Sequence, residues 1–188
     1  MTFNELQEKF YEDLNGRINV VRWEGDTFHY DFEFDHWSDD RRISATISCR
    51  VVLESTVSVG NLGGIREEDD PLLWHYCEPH DTLFFSSPAS NPLELLGRLY
   101  GVHHRLFHAC RDPKDYFQTD PEVLKRRVGE LASGPRSAIA AYHEVAASYM
   151  RCNVITGPDR TADLHLLWFD SDYLICRDFT FTDTTERV

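Results

Sequence analysis

Positive charge is scarce in this chain. Lysine occurs only at Lys9, Lys114 and Lys125, and the arginines are scattered apart from the doublets Arg41-Arg42 and Arg126-Arg127. Against 19 basic residues stand 32 acidic ones, a formal net charge of −13. A surface with that balance repels nucleic-acid phosphates and anionic lipid, so neither is expected as a partner. No run of about 18 apolar residues occurs, which excludes a conventional transmembrane helix. The opening Met1-Thr2-Phe3-Asn4-Glu5 is acidic and lacks the apolar core of a secretory leader, so a cytoplasmic protein is expected. The five cysteines are then reduced thiols, and their odd number does not suit a disulfide framework. Also missing are a phosphate-binding G-K-[ST] loop, a strand-borne G-x-G-x-x-G, a G-x-S-x-G elbow and an EF-hand loop. Internal repeats and low-complexity tracts are absent too.

What is present is ordinary globular material. The chain of 188 residues, 41% of them hydrophobic, is expected to form one domain over residues 1–188 with a core of its own. Phe3, Leu6, Phe10 and Leu14 share a helical stripe, which predicts a short amphipathic helix stopped by Asn15-Gly16. Residues 17–23 read as a strand and Glu24-Gly25-Asp26 as a turn. Residues 27–36 alternate strictly: Phe28, Tyr30, Phe32 and Phe34 on one face, His29, Asp31, Glu33 and Asp35 on the other. A hairpin closed by that turn sets Arg17 opposite Glu33 and Asn19 opposite Asp31. Alternation resumes over residues 43–59, too long for one straight strand, so a bend is expected between Arg50 and Ser55. Residues 60–71 read as a loop, and 72–76 and 82–86 as two more strands around Glu78-Pro79-His80-Asp81.

The second half turns helical. Asn91-Pro92-Leu93-Glu94 places an N-cap, a first-turn proline and a third-position acid in the order that opens a helix. That helix should reach Ala109 or Arg111. Asp120-Pro121-Glu122 opens a second helix, closed by Ser133-Gly134-Pro135, and residues 136–150 form a third. A short strand at 153–156 and a hairpin of 164–169 and 173–181 follow. Strands, then helices, then strands predict an α+β fold. Its mainly antiparallel sheet, an N-terminal meander plus a C-terminal hairpin, is covered on one face by three helices.

Four constellations carry possible chemistry. Cys77 and His80 at a turn, with His104 and His108 one helical turn apart, offer the thiolate and imidazole ligands that zinc takes in a tetrahedron. The pattern lacks the glutamate of the zincin helix motif, and His104 and His108 fall opposite the buried stripe Leu95, Leu99, Val102, Leu106 and Cys110. Cys77 and Cys110 each have histidines nearby in sequence, as a cysteine nucleophile needs, but nothing fixes the geometry. The stripe Asp31, Glu33 and Asp35 sets carboxylates about 7 Å apart along a strand, able to meet a cation or a basic partner or simply to face water. The acidic run Glu67, Glu68, Asp69 and Asp70 follows three glycines and suits electrostatic docking. Among the aromatics, Trp23, Trp74 and Trp168 are expected in the core. Trp37 lies in the polar turn Asp35-His36-Trp37-Ser38-Asp39-Asp40 and suits an interface anchor, as does the pair Tyr116-Phe117.

These features favour a non-catalytic acidic protein that holds a basic protein partner. The contact would run through Asp31, Glu33, Asp35, Trp37, Glu67, Glu68, Asp69 and Asp70. In size and charge alone the chain is similar to intracellular immunity proteins and secretion chaperones, a likeness that implies only the same kind of acidic grip. The first alternative is a zinc-dependent hydrolase built on Cys77, His80, His104 and His108. The second is a small-ligand-binding domain, and on neither the leading reading nor this one is a cofactor required.

Overall fold

The computed structural model describes residues 1–10, 14–36 and 41–185. The fold is α+β, and every strand pairing described is antiparallel. The chain divides into two compact units, Met1–Asp69 with Asp163–Val188, and Asp70–Ala162.

The first unit contains α1 (Phe3–Phe10), β1 (Leu14–Glu24), β2 (Thr27–His36), β3 (Arg41–Ser55), β4 (Gly60–Leu62), β5 (Ile65–Glu67), β9 (His165–Phe169) and β10 (Asp172–Asp183). The strands form one sheet in the order β4-β1-β2-β3-β10-β9-β5. Its two outermost strands are consecutive in the chain, separated only by Gly63-Gly64. The sheet therefore curls until one bent segment joins its edges, β4 bonding to β1 and β5 to β9. Alternation supplies the interior: Ile18, Tyr30, Phe32, Phe34, Ala45, Ile47, Cys49, Leu62, Ile65, Leu167, Phe169, Leu174 and Cys176 are buried in one cluster. Each fully buried large side chain contributes roughly 1.5–3 kcal/mol. The α1 helix adds Leu6 to that cluster, and Phe3 packs against Phe179 and Phe181, with ring centroids 5.0 and 6.0 Å away.

The expected register holds at Arg17 opposite Glu33, but Asp31 faces Val20 because the pairing slips by one residue between Ile18 and Val20. The expected bend in β3 is present: Val51 has a φ of 51°, and the pairing with β10 shifts between Ile175 and Cys176. Gly16 does not end a helix; it lies inside β1, where an added Cβ would meet the Phe34 ring at 2.6 Å.

The second unit holds α2 (Trp74–Cys77), β6 (His80–Phe85), α3 (Pro92–Phe107), β7 (Gly129–Pro135), α4 (Arg136–Ala146) and β8 (Cys152–Ile155), with the sheet order β7-β6-β8. The α3 helix starts where the sequence places it. Asn91 accepts the Glu94 amide at 3.3 Å while its own amide donates to the Glu94 carboxylate at 3.1 Å. Two expectations fail here. Residues 72–76 are not a strand: Asp70 accepts the Leu72 amide and caps a 3-10 turn, Pro71–Leu73, that runs into α2. Residues 120–133 are not a helix: a 3-10 turn, Val123–Lys125, gives way to β7, whose Ala132 and Ser133 pair with Leu83 and Thr82 of β6. Cross-strand pairing over the second half of that segment outweighs the helix-start signal of Asp120-Pro121-Glu122.

Candidate functional site

The acidic stripe of β2 stands on the sheet's outer face, flanked by arginines of β1 and β3. Asp31 accepts from Arg22, which also binds Glu24 at 3.0 Å, and from the Thr46 hydroxyl at 2.7 Å. Arg42 lies 3.4 Å from Glu33 and 3.3 Å from Asp35, and Arg17 sits opposite Glu33 in register. The face is thus a lattice of opposite charges braced by hydroxyls, including Ser48 bound to His29 at 2.9 Å. Among the described residues two guanidiniums, Arg22 and Arg42, are each shared between two carboxylates.

In the acidic run each carboxylate has its own setting. Glu67 meets His165 at 2.6 Å, Glu68 meets Arg66 at 2.8 Å, Asp69 is exposed, and Asp70 is the cap described above. The run spans the boundary between the units, Asp69 closing the first segment of one and Asp70 opening the other. Trp37 lies outside the described residues.

The proposed zinc ligands are not assembled. Cys77 closes α2, and His80 opens β6 with its Nε2 donating to the His75 carbonyl at 3.0 Å. His104 turns its Nδ1 to the His108 carbonyl at 3.2 Å, with the two rings 6.4 Å apart. Among the described residues no group of three or more His, Cys, Asp or Glu side chains could hold a metal ion. No disulfide links the five cysteines. A hydrogen bond with Cys176 together with burial pushes the Cys49 thiol up, so it stays protonated.

Two placements correct the sequence reading. Tyr116 and Phe117 are not anchors on a loop surface; both are buried against His103, at 5.2 and 5.8 Å between ring centroids. Trp23 is not a core residue: it is 56% exposed at the tip of the β1–β2 hairpin.

The residue that sequence reasoning passed over is His103, which sits at the edge of the apolar stripe of α3 and is fully buried. Its Nε2 lies 3.0 Å from the Arg111 carbonyl, which only accepts, so Nε2 carries the proton. Nδ1 is then free to accept from the Tyr142 hydroxyl at 2.7 Å. Burial lowers the pKa of His103 against the opposing pull of the Arg111 carbonyl, Asp112 and Asp115, and holds the ring neutral. Beside it opens a cleft of about 520 Å³ lined by Tyr100, His103, His104, His108, Arg111 and Asp112 among others. Its rim residue His108 holds φ 52° and ψ −130°, a conformation that side-chain-bearing residues rarely adopt. Among the described residues no helix is long and apolar enough to cross a membrane. No family model, no curated protein and no solved structure matches the chain.

Proposed function

We propose that this chain is a non-catalytic binding protein that holds a basic protein partner on its first unit. One observation carries the reading: the negative charge is segregated. The first unit has 21 acidic and 9 basic residues, the second 11 and 10, so nearly the whole net charge of −13 belongs to the first. Asp31, Glu33 and Asp35, already braced by arginines, supply register and specificity, while Glu67, Glu68 and Asp69 add to the long-range field that steers a cationic surface inward. Trp37 completes the set expected from the sequence, while Asp70, also expected there, opens the second unit and caps its first turn, and so stands outside this contact.

Affinity capture from the source cells tests this. The expected binder is a basic protein released as salt rises from about 0.05 to about 0.5 M, where screening shortens to a few ångströms. Retention that ignores salt, or binders without excess positive charge, would overturn it. A second reading, small-ligand binding, is favoured by the cleft beside His103, whose volume of about 520 Å³ falls within the usual range for ligand sites.

A further inference from the structure

Residues 108–118 form a strap across the second unit. The strap leaves α3 through His108, whose φ of 52° is strained for a residue with a side chain, and turns over Pro113–Asp115. It then runs along β7. There the Ser133 amide donates to the Tyr116 carbonyl at 2.9 Å, the Gln118 amide donates to the Leu131 carbonyl at 2.7 Å, and Phe117 bridges Ala132. These bonds lie on the outer edge of β7, whose other edge pairs with β6. The first half of the strap is held less closely. The cleft of about 520 Å³ is lined by Tyr100, His103 and His104 of α3 and by His108, Arg111 and Asp112 of the strap.

One buried side chain ties the strap to both helices. His103 of α3 donates from Nε2 to the Arg111 carbonyl of the strap, and its Nδ1 accepts from the Tyr142 hydroxyl of α4. Tyr116 and Phe117 of the strap pack on its ring. This arrangement needs a neutral imidazole. A proton added at Nδ1 would face a hydroxyl that is already donating, so that bond must reverse, and the new charge would be sealed from water. The charged and titratable groups around the ring divide. Asp112 and Asp115 of the strap favour the imidazolium, and His104 on the same helix opposes it. Burial outweighs the two carboxylates, so the folded ring takes a proton only below the usual histidine range. On the α4 side, burial keeps the Tyr142 phenol protonated. With Arg111, Tyr116 and Phe117 moved aside, the imidazole would meet water and hold its proton at no such penalty.

We propose that residues 108–118 are an acid-released strap: protonation of His103 lifts them from α3 and β7 and bares the backbone edge of β7 at Leu131 and Ser133. Linkage sets the direction. Above about pH 6.5 the imidazole is neutral in both forms and closure is at its strongest. As pH falls towards the lower pKa of the closed form, only the open form takes the proton, so opening rises by at most about tenfold per pH unit. Amide hydrogen exchange on the full chain at about pH 7.5 and about pH 4.5, corrected for the intrinsic rate at each pH, is the test. The Gln118 and Ser133 amides are expected to lose protection several-fold, in step with titration of the His103 ring resonances. The Ser86 amide, bonded to the Arg151 carbonyl, and the amide of the buried Leu99 in α3 should keep theirs. His103→Gln offers one donor and one acceptor but does not titrate, so its Gln118 and Ser133 amides should stay protected at the lower pH. Wild-type strap amides that stay within about twofold would overturn the proposal. So would a loss shared equally by Ser86 and Leu99, which is unfolding of the whole unit, or a response that persists in His103→Gln. Should that variant fail to fold, the wild-type contrast between strap and control amides, read against the His103 titration, decides.

Discussion

Replacing His103 with phenylalanine tests how the second unit is organised. Phenylalanine keeps a flat ring among Phe107, Tyr116, Phe117 and Tyr142, all within 6.3 Å centroid to centroid of the imidazole, and removes only its two nitrogens. The Tyr142 hydroxyl and the Arg111 carbonyl then each lose their hydrogen bond to the imidazole. Each hydrogen bond lost in so buried a setting costs about 1–3 kcal/mol, and the one to the carbonyl, less deeply buried, belongs at the low end, so a loss of about 2–4 kcal/mol is expected. The variant should also lose a pH dependence. The folded-state pKa of His103 lies below the usual histidine value near 6.5. As pH falls through about 6.5 the unfolded chain takes up a proton that the folded one refuses. Stability from this group is therefore complete above that pH and declines below it, towards the folded pKa. Urea unfolding of both proteins at about pH 7.5 and 5.5 reads both effects, and the difference between the proteins removes the other histidines. A variant within about 0.5 kcal/mol of wild type at the higher pH, or one with an unchanged pH response, would refute the account.

Two further substitutions probe the start of β6. Asp81 is buried, accepts Arg136 Nε at 3.1 Å and the Gly157 amide at 2.9 Å, and is expected to lose about 1–3 kcal/mol as Asp81→Asn, since the amide still accepts from Gly157 but no longer opposes the guanidinium. Urea unfolding checks it, and a loss below about 0.5 kcal/mol would count against the pair. Gly157→Ala would place a Cβ 2.0 Å from the His80 carbonyl oxygen, and rigid backbone on the receiving side makes a loss of at least about 2 kcal/mol the expectation; an unchanged melting temperature would contradict it. Because both changes meet at Gly157, their effects should not add in the double variant.

Where local chemistry decides, the sequence was legible. The strict alternation from Thr27 to His36 became a strand with those bounds, Asn91 capped α3, and Asp170-Ser171 turned the last hairpin. The hairpin register was right at Arg17 and wrong at Asn19, because a slipped residue leaves no mark in an alternating pattern. The failures share a non-local cause. Residues 60–67 look like loop because each of β4 and β5 has only three residues, and their reason to be strands lies in β1 and β9, far away in the chain. Residues 129–135 needed β6 to become β7. The candidate site was legible in composition more than in position. The acidic stripe was visible, but Arg42 bridging Glu33 and Asp35, and Arg22 reaching Asp31, depend on strand neighbours. Trp23 reads as core because it continues an apolar strand pattern; only the closeness of the turn exposes it.

The discontinuity of the first unit bears on how the protein is made. Strand β10 lies between β3 and β9, so the curled sheet waits for residues near 183 to be synthesised before its middle can be filled. Until then β3 has one unsatisfied side and the aromatic interior stays open. The second unit is contiguous from Asp70 to Ala162, and its three-stranded sheet needs no strand from the segments on either side. A chain cut after Ala162 therefore keeps every strand of the second unit but leaves β3 with an open edge, the kind of edge that recruits other chains.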